Sequence, residues 1–480
     1  MSDSLKTKTI KGSFWSLFES LSTKGIQFVL GLIMARLLSP EEYGIVGMLA
    51  IFIAVAQGFV DSGFANALIR NNKRTELDFS TAFFFNIVVG TLVYGILFLI
   101  SPFIADFYDT PILESLTKVI CLNVFINSLG IVQRAKFTIE VNFKQQAKAT
   151  TTSVFVTGLL GIYLAYTGWG VWALVIQSVS RNALNVALLW VLSKWVPKWQ
   201  FSWQSFRTMF NYGYKLLLSA QLDIIYNNVR TLIIGKVYSA GDLGNYTRAK
   251  QFADFPSSNM TSIIGRVTFP ILSSIQDNDT RLEHVYRKYL RLMVFLIFPL
   301  MVGLAAVAEP LVLLILTEKW AACIPLLQLL CFSMMWYPVH AINLNLLQVK
   351  GRSDLFLKLE IIKKIIGVSV LVITVPMGII YMVAGGILTS VVCLAVNTHY
   401  TGKLLNLGFL IQMKDIIPTL SLSLIMGAAV YMSTYLLPLS NVYQLIIGIP
   451  LGMIVYLGIA YIFKMSELDE LLKLIKLKKS

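Results

Sequence analysis

Apolar stretches of about twenty residues, separated by short polar loops, follow one another along almost the whole chain. A helix needs ~20 mostly apolar residues to cross a bilayer core of ~30 Å, and in lipid its backbone groups must be satisfied within the segment. The pattern therefore predicts an all-α polytopic membrane protein with about fourteen transmembrane helices. The predicted spans cover residues 12–37, 42–69, 79–103, 112–133, 149–167, 170–193, 208–235, 243–270, 290–307, 322–348, 355–376, 379–400, 415–437 and 442–463.

Two further segments predict helices that do not cross the membrane. Residues 309–320, between the ninth and tenth spans, are too few to cross a bilayer and predict an interfacial helix. Residues 466–480 predict a short amphipathic helix on the inner leaflet. Ser466 suits its N-cap, acidic residues suit its first turn, and lysines suit its last turn.

Lysine and arginine concentrate in alternate loops, and this bias orients the predicted bundle, because basic loops favour the cytoplasmic side. With the N-terminus in the cytoplasm, the strongly basic loops all lie on that side, whereas the opposite loops are mainly acidic. An even number of spans then places the C-terminus in the cytoplasm as well. The basic loops include Lys6, Lys73, Arg134, Lys144, Lys198, Arg281, Lys350 and Lys403.

Composition narrows the classes of function. Of 480 residues, 56% are hydrophobic and 14% are charged, and the formal net charge is +15. These charges orient the spans and meet anionic lipid heads; without an aromatic-basic module or a separate soluble domain, the pattern argues against nucleic acid as a partner. The four cysteines follow no metal-ligand spacing and are predicted to be buried core residues. They are Cys121, Cys323, Cys331 and Cys393.

A polar turn recurs in the chain at an offset of 200 residues. Residues 32–44 close the first predicted span and open the second, and residues 232–244 do the same for the seventh and eighth. Parallel repeats related by an axis along the membrane normal are a transporter architecture, with the substrate path between the halves. The matched positions are Leu32/Leu232, Ile33/Ile233, Ser39/Ser239 and Gly44/Gly244, with Arg36/Lys236 and Glu42/Asp242 matching in charge.

The repeat divides the chain into an N-terminal lobe, a C-terminal lobe, two extra helices and a tail. Six spans fall in each lobe, and both lobes enter the membrane from the same side. The expected bounds are 1–200 for the first lobe, 201–402 for the second, 403–465 for the thirteenth and fourteenth spans, and 466–480 for the cytoplasmic tail.

Five motifs, in their order along the chain, resemble those of the polysaccharide transporter family in the multidrug/oligosaccharidyl-lipid/polysaccharide (MOP) exporter superfamily. Within it, the chain is similar to Wzx-type flippases of the colanic-acid exporter group, over roughly residues 5–460. Each motif alone is a weak signal, and their order across the spans carries the resemblance. The motifs are ARLLSPEEYG (35–44), DSGFANALI (61–69), STAFFFN (80–86), GWGVWAL (168–174) and LGNYTRA (243–249).

This resemblance implies a V-shaped pair of six-helix lobes around a central cavity that opens alternately to each side. It also implies transport of undecaprenyl-diphosphate-linked oligosaccharide repeat units across the bacterial inner membrane, for O-antigen, capsule or exopolysaccharide. Membrane lipids, and polysaccharide polymerase and chain-length machinery, are the implied partners, and the relatives look monomeric.

Arg181 is the clearest candidate for contact with substrate, because charges at membrane depth usually face a cavity or a partner. It lies in the middle of the sixth span, near Asn182 and Asn185. Either the guanidinium faces the cavity and binds the diphosphate, or it pairs with a carboxylate or carbonyl of a neighbouring helix. The sequence leaves both interpretations open.

Other charged and amide residues within the spans are further candidates. Basic residues outnumber acidic ones there, which favours an anionic cargo. Lys24 and Asp61 can instead form an ion pair, Arg248 and Lys250 can snorkel, and Lys363 can pair with Glu360. The remaining cavity candidates are Asn227, Arg230 and Arg266, and the candidates for carrying a coupling H⁺ or Na⁺ are Asp61, Asp223 and Glu19.

No P-loop is present, so we expect no ATP hydrolysis and no cofactor. The drive is then the membrane potential, an ion gradient or consumption of the product. Two other functions stay open. A cation-coupled multidrug or metabolite antiporter of the same superfamily predicts a more acidic cavity. A membrane glycan polymerase would be an enzyme, and the chain shows no acid/base constellation for it.

Overall fold

Helices fill nearly all of the described chain, as the apolar pattern predicts. The structure is a computed structural model and describes residues 23, 25–61, 63–436 and 439–477, among which there is no strand. The prediction of an all-α membrane fold is confirmed. The first helices are α1 (Gly25–Leu37), α2 (Pro40–Asp61), α3 (Phe64–Arg70), α4 (Glu76–Phe107), α5 (Ile112–Ile120), α6 (Leu122–Ser128), α7 (Ile131–Ile139), α8 (Phe143–Tyr166), α9 (Val171–Ser193) and α10 (Trp203–Val237).

The remaining helices follow with short connections. Packing divides the chain into two compact units, Met1–Gly244 and Asn245–Ser480, so that α11 begins in the first unit and continues in the second. The lobe bounds predicted from the repeat stay a prediction. The helices are α11 (Ala240–Ser274), α12 (Asp279–Ala306), α13 (Ala308–Leu316), α14 (Cys323–Met334), α15 (Tyr337–Val349), α16 (Ser353–Thr374), α17 (Ile379–Leu405), α18 (Phe409–Leu436), α19 (Asn441–Ile462) and α20 (Ser466–Leu477).

Within the described residues, nine helical stretches are long and apolar enough to cross a membrane, and there are ten if residues 112–139, bent by 40° between α6 and α7, are counted as one span. All ten coincide with predicted spans. The other four predicted spans fall on α1, α10, α11 and α16. Helix α1 is short within the described residues. Helices α10, α11 and α16 are 35, 35 and 22 residues long, but they are not among the helices that are apolar enough to cross a membrane. The count of fourteen therefore stays a prediction.

The repeated polar turn is a pair of matching helix starts. Before α2, the Ser39 amide donates to Glu42 (2.7 Å) and the Glu42 amide donates to the Ser39 hydroxyl (3.3 Å). Before α11, the Ser239 amide donates to Asp242 (3.2 Å) and the Asp242 amide donates to the Ser239 hydroxyl (3.0 Å). Each is a capping box that satisfies otherwise unpaired amides at a helix N-terminus. The match in sequence therefore reflects a match in local structure.

Two glycines of this turn lie against each other's helix start. A Cβ added to Gly44 would lie 1.6 Å from the carbonyl oxygen of Ala240, and one added to Gly244 would lie 1.7 Å from that of Pro40. The approach is reciprocal, since each glycine faces the residue four positions before the other. Only glycine fits backbone to backbone at this distance.

In the second unit, buried polar bonds join α12, α15, α17 and α18. Asn343 and Gln412 exchange amide hydrogen bonds (2.9 and 3.0 Å), and the Thr401 hydroxyl donates to Asn343 (2.6 Å). Arg287 donates from Nε and Nη2 to the two oxygens of Asp415, both at 2.8 Å. Such satisfied networks specify how the helices pack.

The short helices and the cysteines occupy buried or paired positions. At residues 309–320, α13 is followed by a turn of 3-10 helix whose Trp320 is fully buried, so this end packs against protein. Helix α20 is fastened to α12 by Lys288–Glu470 (2.9 Å) and Arg291–Glu467 (3.5 Å). All four cysteines are free and buried, as predicted.

Candidate functional site

A polar cavity of about 460 Å³ lies among α1, α2, α6, α7, α8 and α9 of the first unit. Two arginines line it, together with side-chain amides and hydroxyls. Among the described residues that line it, there is no carboxylate. The polar lining residues are Arg134, Arg181, Gln27, Gln57, Asn123, Gln146, Asn182, Asn185, Thr150, Ser153 and Ser178.

Hydrogen bonds between helices hold the wall around Arg181. Asn182 donates to the Asn123 carbonyl (2.8 Å), and Asn123 donates to the Ser178 hydroxyl (3.1 Å), which joins α9 to α6. Asn185 reaches the Thr150 hydroxyl on α8 (3.4 Å). These side chains keep the middle of α9 in one register against its neighbours, and so they fix the position of Arg181.

Arg181 itself is exposed and lines this cavity. It makes no hydrogen bond or ion pair with any residue in the described part of the chain. The alternative in which a carboxylate or carbonyl of a neighbouring helix holds it finds no such partner there. An unpaired guanidinium at membrane depth, beside amides and hydroxyls, is arranged to receive an anionic ligand.

Arg134 is the charged lining residue that the sequence did not predict. The predicted fourth span ends at residue 133, and the basic-loop pattern assigned Arg134 to the cytoplasm. The bend lets the helix continue to Ile139, so Arg134 lies within α7 and is half-buried in the cavity wall. Gly130, just before Gln133, was the available signal in the sequence, because a glycine that interrupts a membrane helix often marks a binding site.

Arg134 is linked to Asp61 through one amide. Its Nη2 donates to the Asn127 carbonyl (3.2 Å) and to the Asn127 side-chain oxygen, and the Asn127 amide donates to Asp61 (3.4 Å). The structure thus places Asp61, one of the predicted coupling residues, beside a lining arginine. Lys24 and Glu19 lie outside the described residues, so the proposed Lys24–Asp61 pair is not described either.

The polar stripe of α10 is only partly exposed. Asp223 and Asn227 are exposed and Arg230 is half-buried, whereas Gln221 is buried and donates to the Val55 carbonyl on α2 (3.0 Å). None of these residues lines the cavity described above. Their role in binding stays a prediction.

Two of the candidates in the second unit have local partners. Arg248 is 5% exposed, donates to Gln251 (2.7 Å) and lies over the Trp320 ring at 5.5 Å. Lys363 pairs with Glu360 on its own helix, as the sequence suggested. Lys250 is half-buried, and the side chain of Arg266 lies outside the described ones.

Comparisons with known proteins find similarity to polysaccharide biosynthesis proteins. A family model described as polysaccharide biosynthesis protein matches residues 33–325. The lipopolysaccharide biosynthesis protein WzxC of Escherichia coli strain K12 is 28% identical over 396 residues, which are 81% of this chain and 80% of that protein.

Solved structures share the fold. The lipid II flippase MurJ, in an inward closed conformation, has a TM-score of 0.75 at 15% identity and covers 95% of this chain and 98% of its own. An inward-facing multidrug resistance MATE family transporter of the MOP superfamily has a TM-score of 0.62 at 15% identity, covering 79% and 95%. At such identities the likeness establishes architecture alone, and that architecture is the one predicted.

Proposed function

Because this chain belongs to the polysaccharide biosynthesis protein family, we propose that it is a flippase for polyprenyl-diphosphate-linked oligosaccharides. It moves repeat units across the bacterial inner membrane for the assembly of a surface polysaccharide. Family membership confirms the resemblance predicted from the motifs. The similarity to a lipopolysaccharide biosynthesis protein and the fold shared with a lipid II flippase support the proposal.

The observation that carries the proposal is the charge of the cavity. Arg134 and Arg181 line it without a carboxylate among the described lining residues. Guanidinium groups bind phosphate oxygens in pairs of parallel hydrogen bonds, and amides and hydroxyls suit the hydroxyls of a sugar. The polyprenyl chain stays in the lipid, since most of the side chains that line the cavity are charged or polar.

The volume of the cavity fits part of such a substrate. Pockets for small ligands typically measure roughly 300–1,000 Å³, and this one measures about 460 Å³. We infer that it receives the diphosphate and the sugar attached to it, while the rest of the oligosaccharide extends beyond it. Recognition of the shared diphosphate would then be independent of much of the glycan sequence.

An antiporter for cationic compounds fits this cavity less well. The fold is common to both branches of the superfamily and does not decide between them. A cationic substrate needs carboxylates or aromatic faces, whereas the described lining presents two cations. We therefore propose transport of an anionic lipid headgroup, and a role as transporter rather than as glycan-polymerising enzyme.

We further propose the orientation given by the basic loops, with both ends of the chain in the cytoplasm. Loading then occurs at the cytoplasmic leaflet and release at the outer leaflet, where polymerase and chain-length machinery take the repeat unit. Coupling to H⁺, Na⁺ or the membrane potential stays a proposal, with Asp61 the candidate carboxylate that lies beside the cavity.

The decisive experiment is a deletion strain in which surface glycan and lipid-linked intermediates are measured in each membrane leaflet. We expect lost glycan, repeat units trapped on the cytoplasmic leaflet, and rescue by the wild-type gene. A gene carrying Arg207→Ala, which removes an exposed arginine of α10 outside the cavity, serves as a control variant and should restore the surface glycan fully. Intact glycan without trapped intermediates would contradict the proposal, and a drug-efflux screen would then test the antiporter.

A further inference from the structure

Two breaks in membrane helices meet beside the cavity. The first lies between α2 and α3, where Gly63 adopts a positive φ of 75°, and Asp61 lies in the last described turn of α2. The second is the 40° bend between α6 and α7, and Asn127 lies in the last turn of α6. Helices α3 and α7 pack against each other. Interrupted helices at membrane depth occur where the backbone is buried in protein or lines a cavity.

Asn127 bridges a cation and an anion at this junction. Its side-chain oxygen accepts from Arg134, and its amide nitrogen donates to Asp61 at 3.4 Å. The two partners fix which way the amide points, because its oxygen must face the cation and its nitrogen the carboxylate. Asn127 is 5% exposed, so water competes little for these bonds.

The junction also balances two helix ends. A carboxylate at the C-terminus of α2 is unfavourable next to the negative end of the helix dipole, and a cation at the C-terminus of α6 is favourable. Arg134 supplies that cation, through its bond to the Asn127 carbonyl at 3.2 Å. Among the described residues, Arg134 is thus the cation that compensates the charge of Asp61, through Asn127.

Arg134 nevertheless keeps donors for a second partner. A guanidinium has five N–H donors, and in the described part of the chain its hydrogen bonds all start from Nη2. The same side chain lines the cavity that contains Arg181. Arg134 thus stands between an internal carboxylate and the place where an anionic ligand would bind.

We propose that Asp61 and Asn127 are positioning residues that hold Arg134 in the empty protein and compete with the ligand's phosphate for it. This inference rests on the proposed function, since that function supplies the anionic ligand. A transporter must bind its substrate firmly enough to load and weakly enough to release. Two arginines with no opposing carboxylate would favour loading alone, and Asp61 provides the opposing charge.

The test measures binding of geranylgeranyl diphosphate to the full-length protein in lipid nanodiscs. Asp61→Asn keeps the shape and removes the charge, so it should tighten binding about tenfold, equal to ~1.4 kcal/mol. Arg134→Ala should weaken binding, and Asp61→Asn added to it should then have no further effect. Asp106→Asn, which removes an exposed carboxylate of α4, is the matched control and should leave the affinity unchanged.

A second readout needs no ligand. Asp61, Asn127 and Arg134 form one unit, so the effects of Asp61→Asn and Arg134→Ala on the midpoint of thermal unfolding should be strongly non-additive. Asp61→Ala removes the same charge and gives the same comparisons if Asp61→Asn does not accumulate in the membrane.

The inference is overturned if Asp61→Asn leaves the affinity unchanged or weakens it, or if it tightens binding equally in the Arg134→Ala background. If the protein restores glycan export but these residues show no coupling, this inference is wrong and the proposed function stands. If the residues are coupled but the protein does not restore export, the proposed function is wrong and the anion site stands. Wild-type protein that binds no diphosphate probe overturns both.

Discussion

The reciprocal glycine contact gives a sharp prediction for Gly44→Ala and Gly244→Ala. Each added methyl group would lie 1.6 or 1.7 Å from a backbone oxygen, so the two helix starts would have to separate by roughly 2 Å to restore an ordinary contact of ~3.5 Å. The obstacle is backbone and cannot rotate away. Overpacking usually costs about 1–3 kcal/mol, and we expect the upper end of that range for each variant.

The assay measures unfolding of the purified protein in detergent. Denaturant titration gives the free energy of unfolding, and heating gives the midpoint of thermal unfolding. Gly95→Ala is the matched control, because nothing lies within 4 Å of the added methyl group in the middle of α4. It should be neutral or stabilising, since alanine is favoured over glycine within a helix by about 1 kcal/mol.

The double variant distinguishes this explanation from two independent defects. Once one methyl group has separated the helix starts, the second meets less resistance, so the loss for Gly44→Ala with Gly244→Ala should be clearly smaller than the sum of the single losses. Single variants that unfold like Gly95→Ala, or strictly additive losses, would refute the reasoning.

Three further predictions concern other parts of the molecule. Arg181→Ala should abolish glycan export although the variant protein is present in the membrane in normal amounts. Export at the wild-type rate would show that Arg181 is not part of the site. Asp415→Ala, which takes the bidentate partner from a half-exposed arginine of α12, should lower the free energy of unfolding by about 2 kcal/mol, whereas Asp354→Ala, in an exposed pair, should leave it unchanged. Asn227→Cys in a cysteine-free background should react with a membrane-impermeant thiol reagent, whereas Leu92→Cys, on the exposed apolar face of α4, should not; equal protection of both would mean that α10 turns no polar face to water.

The helices and their starts were predictable because they depend on neighbouring residues. Apolar length places the spans, and the Ser39–Glu42 and Ser239–Asp242 turns are local patterns that also revealed the repeat. Ser466 similarly predicted the start of α20. What α20 packs against was not predictable, because its partners on α12 lie far away in the sequence.

The cavity was predictable only in part. Arg181 was found because a charge in the middle of an apolar run is conspicuous. Arg134 was missed because the positive-inside rule assigns a basic residue near a span end to a loop, and the bend that keeps it inside the helix has no hydropathy signal. The bridge to Asp61 spans 66 residues of sequence and could come only from the fold.

Arg248 shows the same limit from the other side. The sequence placed it near the outer end of a span, where it could meet a headgroup or snorkel. In the structure it lies buried over Trp320, with a hydrogen bond to Gln251, so its charge is held by protein. A contact between residues that are far apart in the chain decided its surroundings, and hydropathy carries no record of it.

The charge of the cavity has an electrical consequence. In an alternating-access cycle, the fixed charges of Arg134 and Arg181 change their exposure to the membrane field together with the ligand. A diphosphate bound to two guanidinium groups is close to neutral as a unit, so carrying it outward does little work against an inside-negative potential. The empty cavity returns with its positive charge, and the field favours that step by up to about 2.3 kcal/mol per elementary charge per 100 mV. If the chain works by the function proposed above, the voltage acts on the return of the empty carrier rather than on the movement of the cargo.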